Sequence, residues 1–136
     1  MRHFHSDGVL IAELCYICCH FPEPNMKEQT MIYDYRVYTF KPGKVPEYMA
    51  AVEDLSIGIR AKYGIKLAGW YYSDIGDLNQ VVHIWGYRDH AHFEEAKAQV
   101  AKDPDWTGKY LPRVAGLLES QKTYLMLSPD FAPQPA

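Results

Sequence analysis

A histidine, an arginine and an aspartate carry most of the chemistry this sequence could perform. His83 lies in Val81-Val82-His83-Ile84-Trp85, between apolar neighbours. An imidazole with an ordinary pKa near ~6.5 suits a general base or proton shuttle. Asp34, Arg36 and Tyr38 alternate along the earlier run Ile32–Phe40. A guanidinium there could clamp an anionic substrate while Asp34 orients a neighbouring histidine or water. The same spacing also suits a structural ion pair across one strand face, and a buried histidine can serve a purely structural hydrogen bond. Trp70, Tyr72, Trp85, Trp106 and Tyr110, with Tyr38, could line a ligand pocket. They could equally fill a core or a subunit interface, because large amphipathic rings do both.

Other chemistries are missing from the pattern. There is no nucleophile motif, phosphate loop or paired-carboxylate arrangement. His90 and His92 fall near a helix start, where solvent exposure is expected, and no companion ligand spacing makes them a haem or metal pair. Cys15-x-x-Cys18, with Cys19 and with His3, His5 and His20 nearby, lacks the second ligand pair of a structural zinc site. The expectation is therefore a protein without metal or cofactor. A net charge of -3 with no basic run gives no footprint for nucleic acid. No apolar stretch reaches the roughly 20 residues of a membrane span. All the cysteines precede residue 20, so the body needs no disulfide, which fits a reducing, cytoplasmic setting.

The elements that position these residues follow from hydrophobic period. Residues 1–30 differ in character from the rest. Val9–Phe21 is apolar and cysteine-rich, Glu13 interrupts it, and no small-residue cleavage site follows as a signal peptide would require. This segment reads as an extension, with Met26 or Met31 as the more natural beginning. Ile32–Phe40 alternates aromatic and β-branched residues and is a strand, with Ile32, Asp34, Arg36, Tyr38 and Phe40 on one face. The spacing of Tyr48, Val52, Leu55 and Ile59 predicts a helix over 46–63, opened by Pro46 and stopped by Gly64.

Lys66–Tyr87 is a hairpin around the break Asp74–Asn79, with Val81, His83, Trp85 and Tyr87 on one face and Val82, Ile84 and Gly86 on the other. On its first strand, alternation groups Ala68, Trp70, Tyr72 and Asp74 against Leu67, Gly69, Tyr71 and Ser73. Asp89 caps a helix over 90–102, with Phe93, Ala96 and Val100 inward. A helical turn over 106–114, interrupted by Pro112, leads to a last strand over 120–127 and a proline-rich tail from 128, expected to be loose. The order β-α-β-β-α-β is the ferredoxin-like α+β arrangement, a four-stranded antiparallel sheet with two main helices on one face. Apolar residues on both sheet faces call for a partner over the second.

With the elements placed, residues 31–127 resemble the NIPSNAP family. The resemblance is carried by Met31-Ile32-Tyr33-Asp34-Tyr35-Arg36-Val37-Tyr38 with Lys41-Pro42-Gly43, by Asn79–Tyr87, and by Asp105-Trp106 through Tyr110-Leu111-Pro112. It implies a homodimeric α+β barrel, two ferredoxin-like subunits packed sheet to sheet. That fold is similar to those of cofactor-independent monooxygenases, EthD-like proteins, and the haem-degrading and chlorite dismutase groups. Fold likeness does not transfer a reaction. Two functions follow as expectations. One is a cofactor-independent small-molecule enzyme, with a pocket between sheet and helices, His83 as base and Arg36 as anion clamp. The other is a non-catalytic homodimer binding a small hydrophobic or anionic ligand or a partner protein.

Overall fold

A computed structural model describes residues 31–133. Strand β1 spans Ile32–Phe40, and after the Lys41-Pro42-Gly43 turn a helical run begins. That run is α1 (Val45–Ala51), a π-helical turn (Val52–Ser56) and α2 (Ile57–Lys62). Strands β2 (Lys66–Tyr72) and β3 (Gln80–Tyr87) form the hairpin. Helix α3 (His90–Lys102) starts at Asp89, whose carboxylate accepts from the His92 amide at 2.7 Å. A second π-helical turn (Trp106–Tyr110) continues into α4 (Leu111–Val114), and β4 spans Leu118–Leu127. The sheet is antiparallel in the order β2-β3-β1-β4, the ferredoxin-like arrangement expected.

The register explains which residues meet. Asp34 pairs with Trp85, Arg36 with His83 and Tyr38 with Val81, so these six share the face turned to the helices. Trp70 joins them from β2, opposite His83. Against this face pack Tyr48, Ala51, Val52 and Ile59 from the first helical run, Ala96 and Val100 from α3, and Tyr110. Burying a side chain such as Phe40 or Ile59 contributes roughly 1.5–3 kcal/mol each. The opposite face carries Tyr35, Val37, Val82, Ile84, Tyr71, Tyr124 and Met126, none of which joins the buried core. Tyr71 is 61% exposed and Tyr124 49%, an apolar surface left open.

Several sequence expectations shift. The first helix is not one continuous α-helix, because the π-helical turn advances the inward face by a residue. Ser56 is buried at 1% where the α-periodic stripe placed Leu55, which is only partly buried. In β2, Ala68 is the extra residue of a bulge. Leu67 therefore opposes Trp85 instead of sharing the Gly69 face, and alternation resumes only after it; the strand ends at Tyr72, before Asp74. Pro112 does not end the helical run, because the π-helical turn at Trp106–Tyr110 passes directly into α4 and the run continues through the proline to Val114. Strand β4 begins two residues earlier than expected, at Leu118. Residues 128–133 follow it without strand or helix, in a turn closed by Ala132 N–H to the Pro129 carbonyl at 3.0 Å. The Cys15–Cys19 segment lies outside the described residues.

His92 also departs from expectation. It is 6% exposed, its Nδ1 accepts from the Arg88 amide at 3.2 Å, and its Nε2 meets the Tyr63 carbonyl at 2.8 Å. The backbone at Gly64, with φ of +74°, stops α2 as expected and brings the chain against this ring; a Cβ there would lie 3.2 Å from His92 Nε2. His92 therefore pins the α2–β2 corner to the start of α3. His90 is exposed.

Candidate functional site

The centre of the site is built by β1 and β3. Period two points Asp34, Arg36 and Tyr38 at the helices, and the Arg36–Asp34 pair is tight: Nε donates to Oδ2 at 2.8 Å and Nη2 lies 2.6 Å from the same oxygen. Arg36 Nη1 donates to the Tyr38 hydroxyl at 2.9 Å. Burial works against the Arg36 charge. The Asp34 carboxylate and Tyr38 outweigh it and hold the guanidinium above its ordinary value. Arg36 is therefore charged, and its ion pair and its hydroxyl contact both lie within its own strand.

His83 is sealed, at 1% exposure. The Trp85 indole N–H donates to His83 Nδ1 at 2.7 Å. An indole only donates, so Nδ1 must hold the lone pair and Nε2 the proton. Burial, then the charges of Arg36 and Arg60, push His83 down to about 3. The ring is neutral at physiological pH and offers a proton at Nε2 rather than a lone pair. It packs edge-on to Tyr38 at 4.7 Å between ring centres and lies parallel to Trp70 at 6.5 Å. His83 Nε2, Trp70 Nε1, Asp34 Oδ1 and the Tyr87 hydroxyl are buried with no hydrogen-bond partner among the described residues. Such atoms are uncommon in native interiors, and each is a place where a missing partner belongs.

The residue that sequence reasoning missed is Arg60. It is 6% exposed, on the inner face of α2. Its Nε donates to Ser56 Oγ at 3.2 Å, and it forms no ion pair among the described residues. Its guanidinium carbon lies 4.4 Å from the centre of the Trp85 ring and 5.0 Å from that of Trp106, within cation–π range of both. Burial and the neighbouring Arg36 charge lower its pKa. A signal was present in the sequence: Arg60 follows Ser56 by four residues and adjoins Ile59 on the apolar side of the helix, where a solvated arginine does not belong. The π-helical turn made that side hard to read, since it exchanges Leu55 for Ser56.

A cavity of about 180 Å³ opens between the sheet and the helices, lined by Arg36, Arg60, Ile65, Lys97, Val100, Ala101 and Trp106. Three of these side chains are cationic and none is acidic. Of the expected site residues, Arg36 and Trp106 reach this cavity. Asp34, Tyr38, Trp85 and His83 form the layer behind it, Trp70 lies beside His83, and Tyr110 stacks on Trp106 at 4.3 Å. Tyr110 also meets the Tyr48 hydroxyl at 3.5 Å, and burial raises both phenols. Tyr72 stands apart at the sheet edge, 59% exposed. Among the described residues no group of three or more His, Cys, Asp or Glu side chains could hold a metal ion. The arrangement is rich in donors and brings no hydroxyl, thiol or carboxylate to the cavity. Chemically it suits holding an acceptor or an anion.

A split-βαβ sheet with a cation-lined cavity under its helices defines a small ferredoxin-like α+β protein. The NIPSNAP family pattern matches residues 33–133, and the chain belongs to that family. Human Protein NipSnap homolog 3A is 28% identical over 113 residues, covering 81% of this chain and 45% of that protein. The chain thus spans about half the length of that relative. A NIPSNAP family protein of unknown function from Agrobacterium tumefaciens C58 superposes with a TM-score of 0.71 at 33% identity, covering 78% of this chain and 95% of its own. An uncharacterised NIPSNAP-like domain protein from Burkholderia xenovorans gives 0.72 at 31% identity, with coverages of 80% and 94%. Among the described residues no helix is long and apolar enough to cross a membrane.

Proposed function

We propose that this chain is a homodimeric small-molecule binding protein whose ligand enters between the sheet and its helices, at the cavity beside Arg36, Arg60 and Trp106. The observation that carries this reading is the cavity itself, walled by a guanidinium from the sheet and a guanidinium and an indole from the helices over it. Rigid walls with a few placed polar groups are what ligand sites require. Arg36 contributes positive field from its ion pair, and Trp85, Tyr38 and Tyr110 hold the walls in place.

A catalytic role for His83 as base, with Asp34 orienting it and Arg36 binding the substrate, requires the Trp85–His83 hydrogen bond to open. The ring's only lone pair is engaged there. Binding is the reading that needs no such rearrangement.

The homodimer is supported by the open apolar face of Tyr35, Val37, Val82, Ile84 and Tyr124. That is the kind of surface a second sheet covers, and its burial would offset the exposure of large apolar side chains. The test is a fragment screen by ¹H–¹⁵N NMR on the full chain and on Ala101→Trp, which fills the cavity rim. Fragments that shift the Trp106 indole signal and lose binding in Ala101→Trp bear the reading out. A screen with no fragment sensitive to that substitution overturns it.

A further inference from the structure

We infer that the ligand of this cavity is a small carboxylate, received by Arg60 rather than by Arg36; this rests on the binding reading above and names its ligand class. Arg36 has its guanidinium spent on Asp34 and Tyr38. Arg60 does not: beyond the Ser56 bond it has no anionic partner among the described residues, yet it is 94% withdrawn from solvent and borders the cavity. A buried charge left unpaired costs several kcal/mol unless something neutralises it. The cavity lining supplies no carboxylate, so the neutralising group comes from outside the described residues.

The geometry selects the anion. Trp85 and Trp106 hold the guanidinium carbon at 4.4 and 5.0 Å from their ring centres, and a guanidinium so placed at a cavity wall offers its N–H fork, the part that pairs two-point with a planar carboxylate. Lys97, whose ammonium lies 4.7 Å from the Phe93 ring, adds positive field at the rim. Ile65, Val100, Ala101 and Trp106 give the rest of the wall an apolar character suited to a hydrocarbon body. The volume of about 180 Å³ is that of about six water molecules, well below the roughly 300 Å³ at which sites for drug-sized ligands begin. The ligand is therefore compact, a short-chain or single-ring acid.

The experiment is calorimetric titration of the full chain with acetate, hexanoate and benzoate, each paired with its uncharged amide. Indole N–H signals of Trp85 and Trp106 are followed in parallel by NMR. The expected result is that at least one acid binds, shifts both indole signals, and exceeds its amide in affinity by about tenfold or more. Arg60→Met abolishes that preference. Arg60→Lys keeps the charge but loses the fork, and reduces the preference without removing it. An amide binding as tightly as its acid, with the same indole shifts, overturns the carboxylate assignment and leaves the cavity reading standing. If none of the compounds moves either indole signal, the assignment fails; the fragment screen then decides the cavity reading on its own. The acid–amide comparison uses the unmodified chain, so it stands even if Arg60→Met does not fold.

Discussion

Replacing Arg60 by methionine in the ligand-free protein should raise its stability. The favourable contacts of Arg60 include two cation–π contacts, at 4.4 Å and 5.0 Å, and a hydrogen bond to Ser56 at 3.2 Å, with weaker support from the Tyr87 hydroxyl beside it. At about 0.5–2 kcal/mol for each ring contact and about 1 kcal/mol for the hydrogen bond, they contribute roughly 2–5 kcal/mol. Against them stands the desolvation of a guanidinium that is 6% exposed, itself several kcal/mol, and repulsion from Arg36, with no carboxylate among the described residues paired to it.

Methionine has a similar unbranched length, regains dispersion and sulfur–aromatic contact with both indoles, and leaves only Ser56 Oγ without its donor. The balance favours methionine by about 1–3 kcal/mol, within the range seen when buried ions are exchanged for apolar residues. At roughly 4 °C per kcal/mol for a domain of this size, Tm rises by about 4–12 °C. Urea denaturation at fixed protein concentration reads this directly, concentration being held because subunit association would otherwise enter the measured stability. A fall of similar size would mean that the indole and serine contacts outweigh desolvation. Arg60 would then be a structural brace, and the ligand argument would lose its driving force.

Asp34→Asn should have the opposite effect. It strips the counter-charge from Arg36 and costs about 3–5 kcal/mol, read as a lowered urea midpoint; a loss below about 1 kcal/mol would show that solvent already screens the pair. His83 titrates at about 3 in the folded chain against about 6.5 unfolded, so between those values the unfolded state binds the extra proton. Its contribution is fully present above pH ~6.5 and drains away as pH falls, by up to about 1.4 kcal/mol per pH unit. His83→Gln should flatten the stability–pH curve over that window, and equal acid sensitivity of both proteins would refute the assignment. Ile84→Lys places an ammonium in the middle of the open sheet face. Light scattering should then give the single-chain mass where the unmodified chain gives twice that, and an unchanged mass would move the interface elsewhere.

Much of this was legible along the chain. Strict alternation puts Asp34, Arg36 and Tyr38 on one face of β1 and His83 with Trp85 on one face of β3, because a strand's side chains alternate by geometry alone; that these two faces are the same side of the sheet follows only from the β1–β3 register. The element order then left few topologies open. The family resemblance rested on the same strands, and the match over residues 33–133 agrees with it.

Tertiary structure alone decided the rest, and the reasons are local irregularities and distance. A π-helical turn moved Ser56 inward and set Arg60 on the buried side of α2. A bulge at Ala68 set Leu67 opposite Trp85 and broke the alternation of β2. Neither event has a reliable sequence mark, since each adds a residue to an otherwise regular period. Whether His83 presents a lone pair or a proton depended on the Trp85 indole two residues away turning toward Nδ1. Which arginine lacks an ion pair depended on Asp34 being in reach of Arg36, and on no carboxylate among the described residues pairing with Arg60. Period assigns residues to faces, but the pairing of charges is settled by ångström-scale packing between elements far apart in the chain.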